Sequence, residues 1–191
     1  MRDEGEHKGD SEAVGLGASR CRDAEGVKLR RATLDDADFL VELLTHEEVE
    51  PYLSAISAKD REGIVAGIER SEQEPERFGQ FIVEVDGRPV GALRFESPGG
   101  PSRIARLGGL AIHPDFRGQK LGHEAALAFQ RHLFEDLGFH RLEMEVYGFN
   151  ERSLAHAERV GWVREGVKRK AYWRHGDWVD GVVFGLLAED L

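Results

Sequence analysis

Leu107 to Ile112 is a short, almost wholly apolar run, and Gly118 to Leu137 follows it with apolar residues at helical spacing. A strand apolar enough to be buried, feeding straight into an amphipathic helix, belongs to the interior of an α/β layer structure. The flanking pattern agrees. Val27 to Arg30 alternates like a strand, Thr33 reads as an N-cap with Asp35 and Asp36 in the first turn, and Phe39, Leu40, Leu43 and Leu44 repeat at helical spacing up to Pro51. Ser57 and Asp60 predict a second cap, before Ile64, Val65 and Ile68. Phe81 to Val85 and Val90 to Phe95 predict a hairpin over the tight turn Asp86-Gly87. Pro98 to Pro101 is a loop, Leu142, Met144 and Val146 form one face of a strand, and Glu151 to Val160 is a short helix. Trp162 to Trp173 and Trp178 to Leu187 close the pattern as a hairpin. The order β, α, α, β, β, β, α, β, α, β, β predicts one mixed α/β domain around a single sheet.

Residues 1–26 break from this pattern. They hold five glycines, many charges and no aromatic side chain, so they predict a flexible arm, or else a partner-docking tail, ahead of a domain at 27–191. The 191 residues carry 26 lysines and arginines against 36 aspartates and glutamates, a net charge of −10, which argues against a general nucleic-acid binder. A single cysteine, Cys21, excludes an intramolecular disulfide framework. No apolar run approaches the roughly 18 residues of a membrane span, and the charged first ten residues do not read as a secretory signal. The expectation is a cytoplasmic protein with no membrane partner. The histidines show no convincing metal spacing, and His46-Glu47-Glu48 reads as solvated helix surface.

The chemistry centres on Leu110 to Gly122. A strand, a turn and a glycine-containing helix start present unbonded N–H groups at the positive end of a helix, which suits a phosphate. Arg117 adds a permanent charge. An ordinary strand-to-helix turn with packing glycines is the alternative. The chain has no G-x-x-x-x-G-K-[ST] segment and no G-x-G-x-x-G after its first strand, so the P-loop and dinucleotide fingerprints are both excluded.

Arg117-Gly118-Gln119-Lys120-Leu121-Gly122, Met144-Glu145-Val146, Asn150, Ser153 and Gly161-Trp162 together resemble the GNAT superfamily of acyl-CoA-dependent N-acetyltransferases. Glu165-Gly166 and His175-Gly176-Asp177-Trp178 look like its ribosomal-protein N-terminal and polyamine acetyltransferase branch. The resemblance spans about residues 27–187. It implies a single mixed, mostly antiparallel central sheet flanked by helices, acetyl-CoA as co-substrate, no metal, a small-molecule amine or protein N-terminus as acceptor, and a possible homodimer. It also implies that Leu110, Ala111 and Ile112 meet the pantetheine arm and acyl carbonyl, that Arg117, Gly118, Gln119, Lys120, Leu121 and Gly122 cradle the pyrophosphate, and that Asn150 bonds the pantetheine.

Three positions depart from the family pattern. Lys120 replaces the middle glycine of the phosphate loop, either helping a phosphate or standing as an exposed helix residue. Arg106 occupies the place of the usual general-base glutamate, leaving Glu145, Glu96 and His113 as candidate bases. Ala157 replaces the usual acid tyrosine, leaving Ser153 as the candidate donor to the sulfur, or as a serine bonded to its own helix. Tyr172, Trp173 and Trp178, with Asp177 and Asp180, could hold a cationic amine, or pack across the hairpin. Lys168-Arg169-Lys170 reads as an exposed strand face or as a contact for an acidic peptide or rRNA. Beside the enzyme stand two other readings, a catalytically weak acyl-CoA-binding regulatory protein and an RNA-associated factor.

Overall fold

The computed structural model describes residues 26–54 and 59–190. The arm expected at 1–26 lies outside them apart from Gly26, as does Ser57. Seven strands form one sheet in the order β1-β2-β3-β4-β5-β7-β6. They are β1 (Lys28–Arg31), β2 (Phe78–Val85), β3 (Arg88–Glu96), β4 (Ile104–Ile112), β5 (Arg141–Tyr147), β6 (Val163–Arg174) and β7 (Asp177–Leu187). Every neighbouring pair is antiparallel except β4 and β5. Parallel neighbours need a crossover, and the chain supplies it with α3 (Leu121–Arg131). The expected mixed sheet flanked by helices is what forms. Among the described residues no helix is long and apolar enough to cross a membrane.

Period-2 alternation sends side chains to opposite faces. Phe81, Val83, Leu93 and Phe95 face α3 and α4 (Glu151–Arg159), while Ile82, Ala92 and Ala111 face α1 (Ala37–Thr45) and α2 (Arg61–Gln73). Phe81 meets Phe129 edge-on with ring centroids 5.1 Å apart, and Phe139 meets Phe95 at 5.6 Å. Leu40, Leu43, Ile64 and Ile68 form the second core. The expected β2–β3 turn is Asp86-Gly87, both residues at positive φ, which matches the strand twist.

The helix ends differ from the periodic reading. α1 stops at Thr45, and Pro51 instead opens a 3-10 turn, Glu50–Tyr52. α3 begins at Leu121 rather than at Gly118, because Gly118 (φ 84°) and Lys120 (φ 62°) are left-handed. Asp60 caps α2 as expected, accepting from the Gly63 amide at 2.7 Å.

At the start of the domain, Asp36 is buried and takes both Arg30 guanidinium nitrogens, at 2.7 and 2.8 Å, together with the Thr33 amide at 2.8 Å. Burial alone would raise its pKa, but the bonds from Arg30 and Thr33 outweigh burial and hold the carboxyl below its ordinary value. A depressed carboxyl stabilises the fold above about pH 4 and loses that contribution as pH falls through its folded pKa. Asp36→Asn removes one of the two carboxylates that hold the part-buried Arg30 guanidinium, leaving Glu84, 2.7 Å from its Nε, as the other. Urea denaturation at pH 7 should show a loss of about 2 kcal/mol that shrinks towards pH 3; a loss independent of pH would contradict the charge argument.

Candidate active site

β4 and β5 pair only from Ile104 to Leu107 against Arg141 to Met144. Beyond that point both strands continue, to Ile112 and Tyr147, without bonding each other. The cause lies in β4. Ala92 of β3 faces Ala111, but Arg94 faces Gly108, so β4 carries an extra residue there. Gly109 sits in the bulge at φ 69°, a conformation that costs other residues backbone strain. The bulge turns β4 away from β5 and opens a wedge whose two walls are unpaired strand edges. Backbone groups in such a wedge need a partner from outside the sheet.

The wedge widens into a cleft of about 1590 Å³. At one end lies the turn between β4 and α3. The amides of Gly118, Gln119, Lys120, Leu121 and Gly122 have no backbone acceptor among the described residues. Five successive free amides, in a turn with left-handed Gly118 and Lys120, form a concave nest for an anion at the positive end of α3.

Arg117 does not aim into this nest. Its guanidinium donates to the Glu48 carboxylate at 2.7 Å, the Glu48 carbonyl at 3.2 Å and the Ile112 carbonyl at 3.3 Å, so it ties the turn to the α1–α2 connection. The same bond engages Glu48 of the His46-Glu47-Glu48 group. Leu110, Ala111, Ile112, Arg117, Gly118, Lys120, Leu121 and Gly122 all line the cleft, but Gln119 does not. Lys120 is exposed and makes no ion pair among the described residues, but it is a left-handed N-cap, not the helical residue its position suggested.

Asn150 caps α4, its side-chain oxygen accepting from the Ser153 amide at 3.2 Å. It is buried and its amide group borders the cleft. Ser153 lines the cleft too, and its hydroxyl makes no bond to its own helix among the described residues. Ala157 is buried in the core. Arg106 stands at the cleft, largely exposed, 3.5 Å from Glu143.

Of the candidate bases, Glu96 is exposed and pairs with Arg70 at 2.9 Å, away from the cleft. His113 is buried outside the cleft lining, 3.6 Å from Glu42. Glu145 lines the cleft, with one oxygen 2.7 Å from the Lys168 ammonium and the other buried without a hydrogen-bond partner among the described residues. Burial, and then Glu145, push the Tyr172 hydroxyl up to about 12, so it stays protonated at neutral pH.

The hairpin aromatics divide. Tyr172 lines the cleft, whereas Trp173 and Trp178 pair edge-on at 5.4 Å, both more than half exposed, at the hairpin tip. Asp177 accepts from the Trp178 amide and Asp180 from the Lys170 amide, so both carboxylates serve the hairpin backbone. The aromatic wall contains residues the sequence reading missed: Tyr52, Tyr147 and Phe149, with Tyr147 stacked on Phe149 at 5.5 Å. Tyr147 alternates with Met144 and Val146 on a strand whose two faces both border the cleft, a signal that alternation alone assigns to solvent.

The family described as Acetyltransferase (GNAT) domain matches residues 27–163. The chain belongs to this GNAT acetyltransferase family. A relative in Bacillus subtilis (strain 168), the SPbeta prophage-derived uncharacterized N-acetyltransferase YokL, is 32% identical over 118 residues, covering 61% of this chain and 66% of its own length. Among solved structures, Mycobacterium smegmatis RimJ in complex with CoA-disulfide superposes with a TM-score of 0.75 at 24% identity, covering 86% of this GNAT chain and 83% of RimJ. The spermidine N-acetyltransferase of Vibrio cholerae, in complex with CoA and spermine, gives 0.76 at 16% identity, covering 87% and 98%. At these identities the two structures share the fold.

Gly109→Ala tests the bulge. The new Cβ has room, 3.9 Å from Arg94, so the cost is backbone strain, about 1 kcal/mol or more. Urea denaturation should show a lower midpoint, and an unchanged midpoint would mean that the bulge does not depend on this glycine.

Proposed function

We propose that this GNAT protein transfers the acetyl group of acetyl-CoA to a primary amine, carried by a small molecule or a protein N-terminus. One observation carries the reading: unpaired strand edges and the acceptor-less amides of Gly118, Lys120, Leu121 and Gly122 belong to residues that line the same cleft. An extended, amide-bearing arm that ends in a diphosphate satisfies both. The diphosphate fits the amides of Gly118 to Gly122. The arm fits the edge of β4 at Leu110 to Ile112 and the free amide of Asn150.

Acetyl-CoA supplies a thioester whose carbonyl carbon takes the amine nitrogen as the carbon–sulfur bond breaks. The residues supply the rest. A β4 N–H in the wedge faces the oxygen on which charge develops. The incoming amine loses a proton, and of the candidate bases Glu145 lines the cleft, with the Lys168 ammonium 2.7 Å from one of its oxygens. The departing sulfur needs only modest acid help, since a thiol pKa is near 8.5. We assign that help to the Ser153 hydroxyl, which lines the cleft and bonds to nothing in its own helix among the described residues. Tyr52, Tyr147, Phe149 and Tyr172, with Glu47 and Glu145, form a wall suited to a cationic amine.

Arg106 and Ala157, in place of the family's glutamate and tyrosine, favour a second reading, a weakly catalytic acyl-CoA-binding regulator. Thiol release from acetyl-CoA with a panel of polyamines, aminoglycosides and peptides should find a turned-over amine. Binding with no turnover on any of them favours the regulator. With the amine found, Ser153→Ala should lower kcat about tenfold or more while changing acetyl-CoA affinity less than twofold; an unchanged kcat returns Ser153 to a structural role. Calorimetry should show Asn150→Ala weakening acetyl-CoA about tenfold, and wild-type affinity would remove Asn150 from the cofactor site.

A further inference from the structure

The sheet face that meets α1 and α2 continues past β3 as a floor of charged side chains. Arg94 lies two residues beyond Ala92 on β3, Arg106 stands between Ala105 and Leu107 of the opposite core, and Glu143 and Glu145 alternate with Leu142, Met144 and Val146. Alternation therefore puts all four charges on this one face, and all four line the cleft. Arg106 faces Glu143 across the β4–β5 pairs, one residue before the strands part after Leu107. The Arg94 side chain runs along the bulge, where a Cβ on Gly108 or on Gly109 would lie 3.9 Å from it. Two arginines thus border the mouth of the wedge, beside the place that the acetyl-transfer reading gives to the thioester carbonyl. Arg94 is half-buried there, and burial, the stronger influence, pulls its pKa below the ordinary value against Glu96. Most carboxylates of the cleft are already matched. Glu48 holds Arg117 at 2.7 Å, Glu145 holds Lys168 at 2.7 Å, and Glu143 lies 3.0 Å from Arg141 and 3.5 Å from Arg106. Glu47 and Glu151 line the cleft without an ion pair among the described residues.

We propose that the acceptor is a primary amine bearing an anionic group a few atoms from its nitrogen, with the nitrogen at the aromatic wall and the anion at Arg94 and Arg106, and that polyamines are poor substrates. The inference rests on the acetyl-transfer reading above. It turns on the charge that stands beside the reacting carbon. A nitrogen attacking in the wedge brings its neighbouring groups close to Arg106 and Arg94. A second ammonium there meets two like charges, whereas a carboxylate meets two guanidinium groups whose planar forks match it. A polyamine also needs a carboxylate for each of its cations, and the chain's own arginines and Lys168 hold Glu48, Glu143 and Glu145. Selection of this kind comes as much from the repelled charge as from the attracted one. An amino acid, and a peptide N-terminus followed by an acidic side chain, share this chemistry.

Thiol release from acetyl-CoA by the full chain, measured with two matched sets of amines, tests this. One set is γ-aminobutyrate, its amide and putrescine. The other is three peptides that begin Ala-Asp, Ala-Asn and Ala-Lys. In whichever set is turned over, kcat/KM should fall about tenfold from the acidic member to the neutral one, and further to the cationic one. Arg106→Gln, at a largely exposed side chain, should raise KM for the acidic member about tenfold while changing kcat less than about threefold. The double variant Arg94→Gln, Arg106→Gln should bring the acidic and neutral members within about twofold of each other, and calorimetry with acetyl-CoA, giving wild-type affinity, shows that each variant is folded. Fastest turnover on putrescine, the Ala-Lys peptide or another polycation, equal rates for acid and amide, or a preference that survives the double variant would overturn the anion subsite and leave the acetyl-transfer reading intact. No thiol release with any amine would overturn the transfer reading, and this inference with it.

Discussion

A bulge at Gly109 denies two neighbouring strands their hydrogen bonds. Past Leu107, β4 can no longer reach β5, and the sheet is left with a wedge of polar backbone inside the domain. Such groups are costly when dry and unpaired, so the wedge must stay open to solvent or to a ligand. The cleft, its aromatic wall and the amide nest all sit where this opening places them. The nest exists because the chain, after leaving the bulged strand, turns through left-handed Gly118 and Lys120 before α3 begins.

Arginines hold the two sides of the opening together. Arg117 joins the β4–α3 turn to Glu48, and Arg174 reaches from the hairpin to the Glu50 and Pro51 carbonyls at 3.3 and 3.0 Å. The Arg174 guanidinium also lies 5.5 Å from the ring centre of Tyr147. The α1–α2 connection is thus fastened from two directions, and it carries Tyr52 into the aromatic wall. The Arg174 bonds are partly shielded from water, whereas the Arg117–Glu48 pair is exposed and contributes less. Together they fix the shape of this side of the cleft.

Much of the fold was legible because its signals are local. Asp86-Gly87 marks a turn by its own conformational preference, and Asp60 caps a helix three residues away. Alternation set Leu142 on the apolar face of its strand, and it is fully buried. The turn between β4 and α3 was legible from its glycines, but Lys120 hid its left-handed geometry behind a residue type that rarely adopts it. Other features depend on partners distant in sequence. The Arg117 side chain is claimed by a residue 69 positions earlier, which no local pattern discloses.

The strand order has a bearing on how the protein is made. β1 to β4 run as neighbours in the order they are synthesised, so that half of the sheet can assemble as the chain emerges. β7 instead slots between β5 and β6, although it follows both in the chain. Until β7 clears the ribosome, one side of β5 has no partner, and Leu142 lacks the cover that Leu186 and Phe184 later give it. A nascent chain stalled before Asp177 would expose a sticky apolar edge, the kind of surface that chaperones and neighbouring chains compete for.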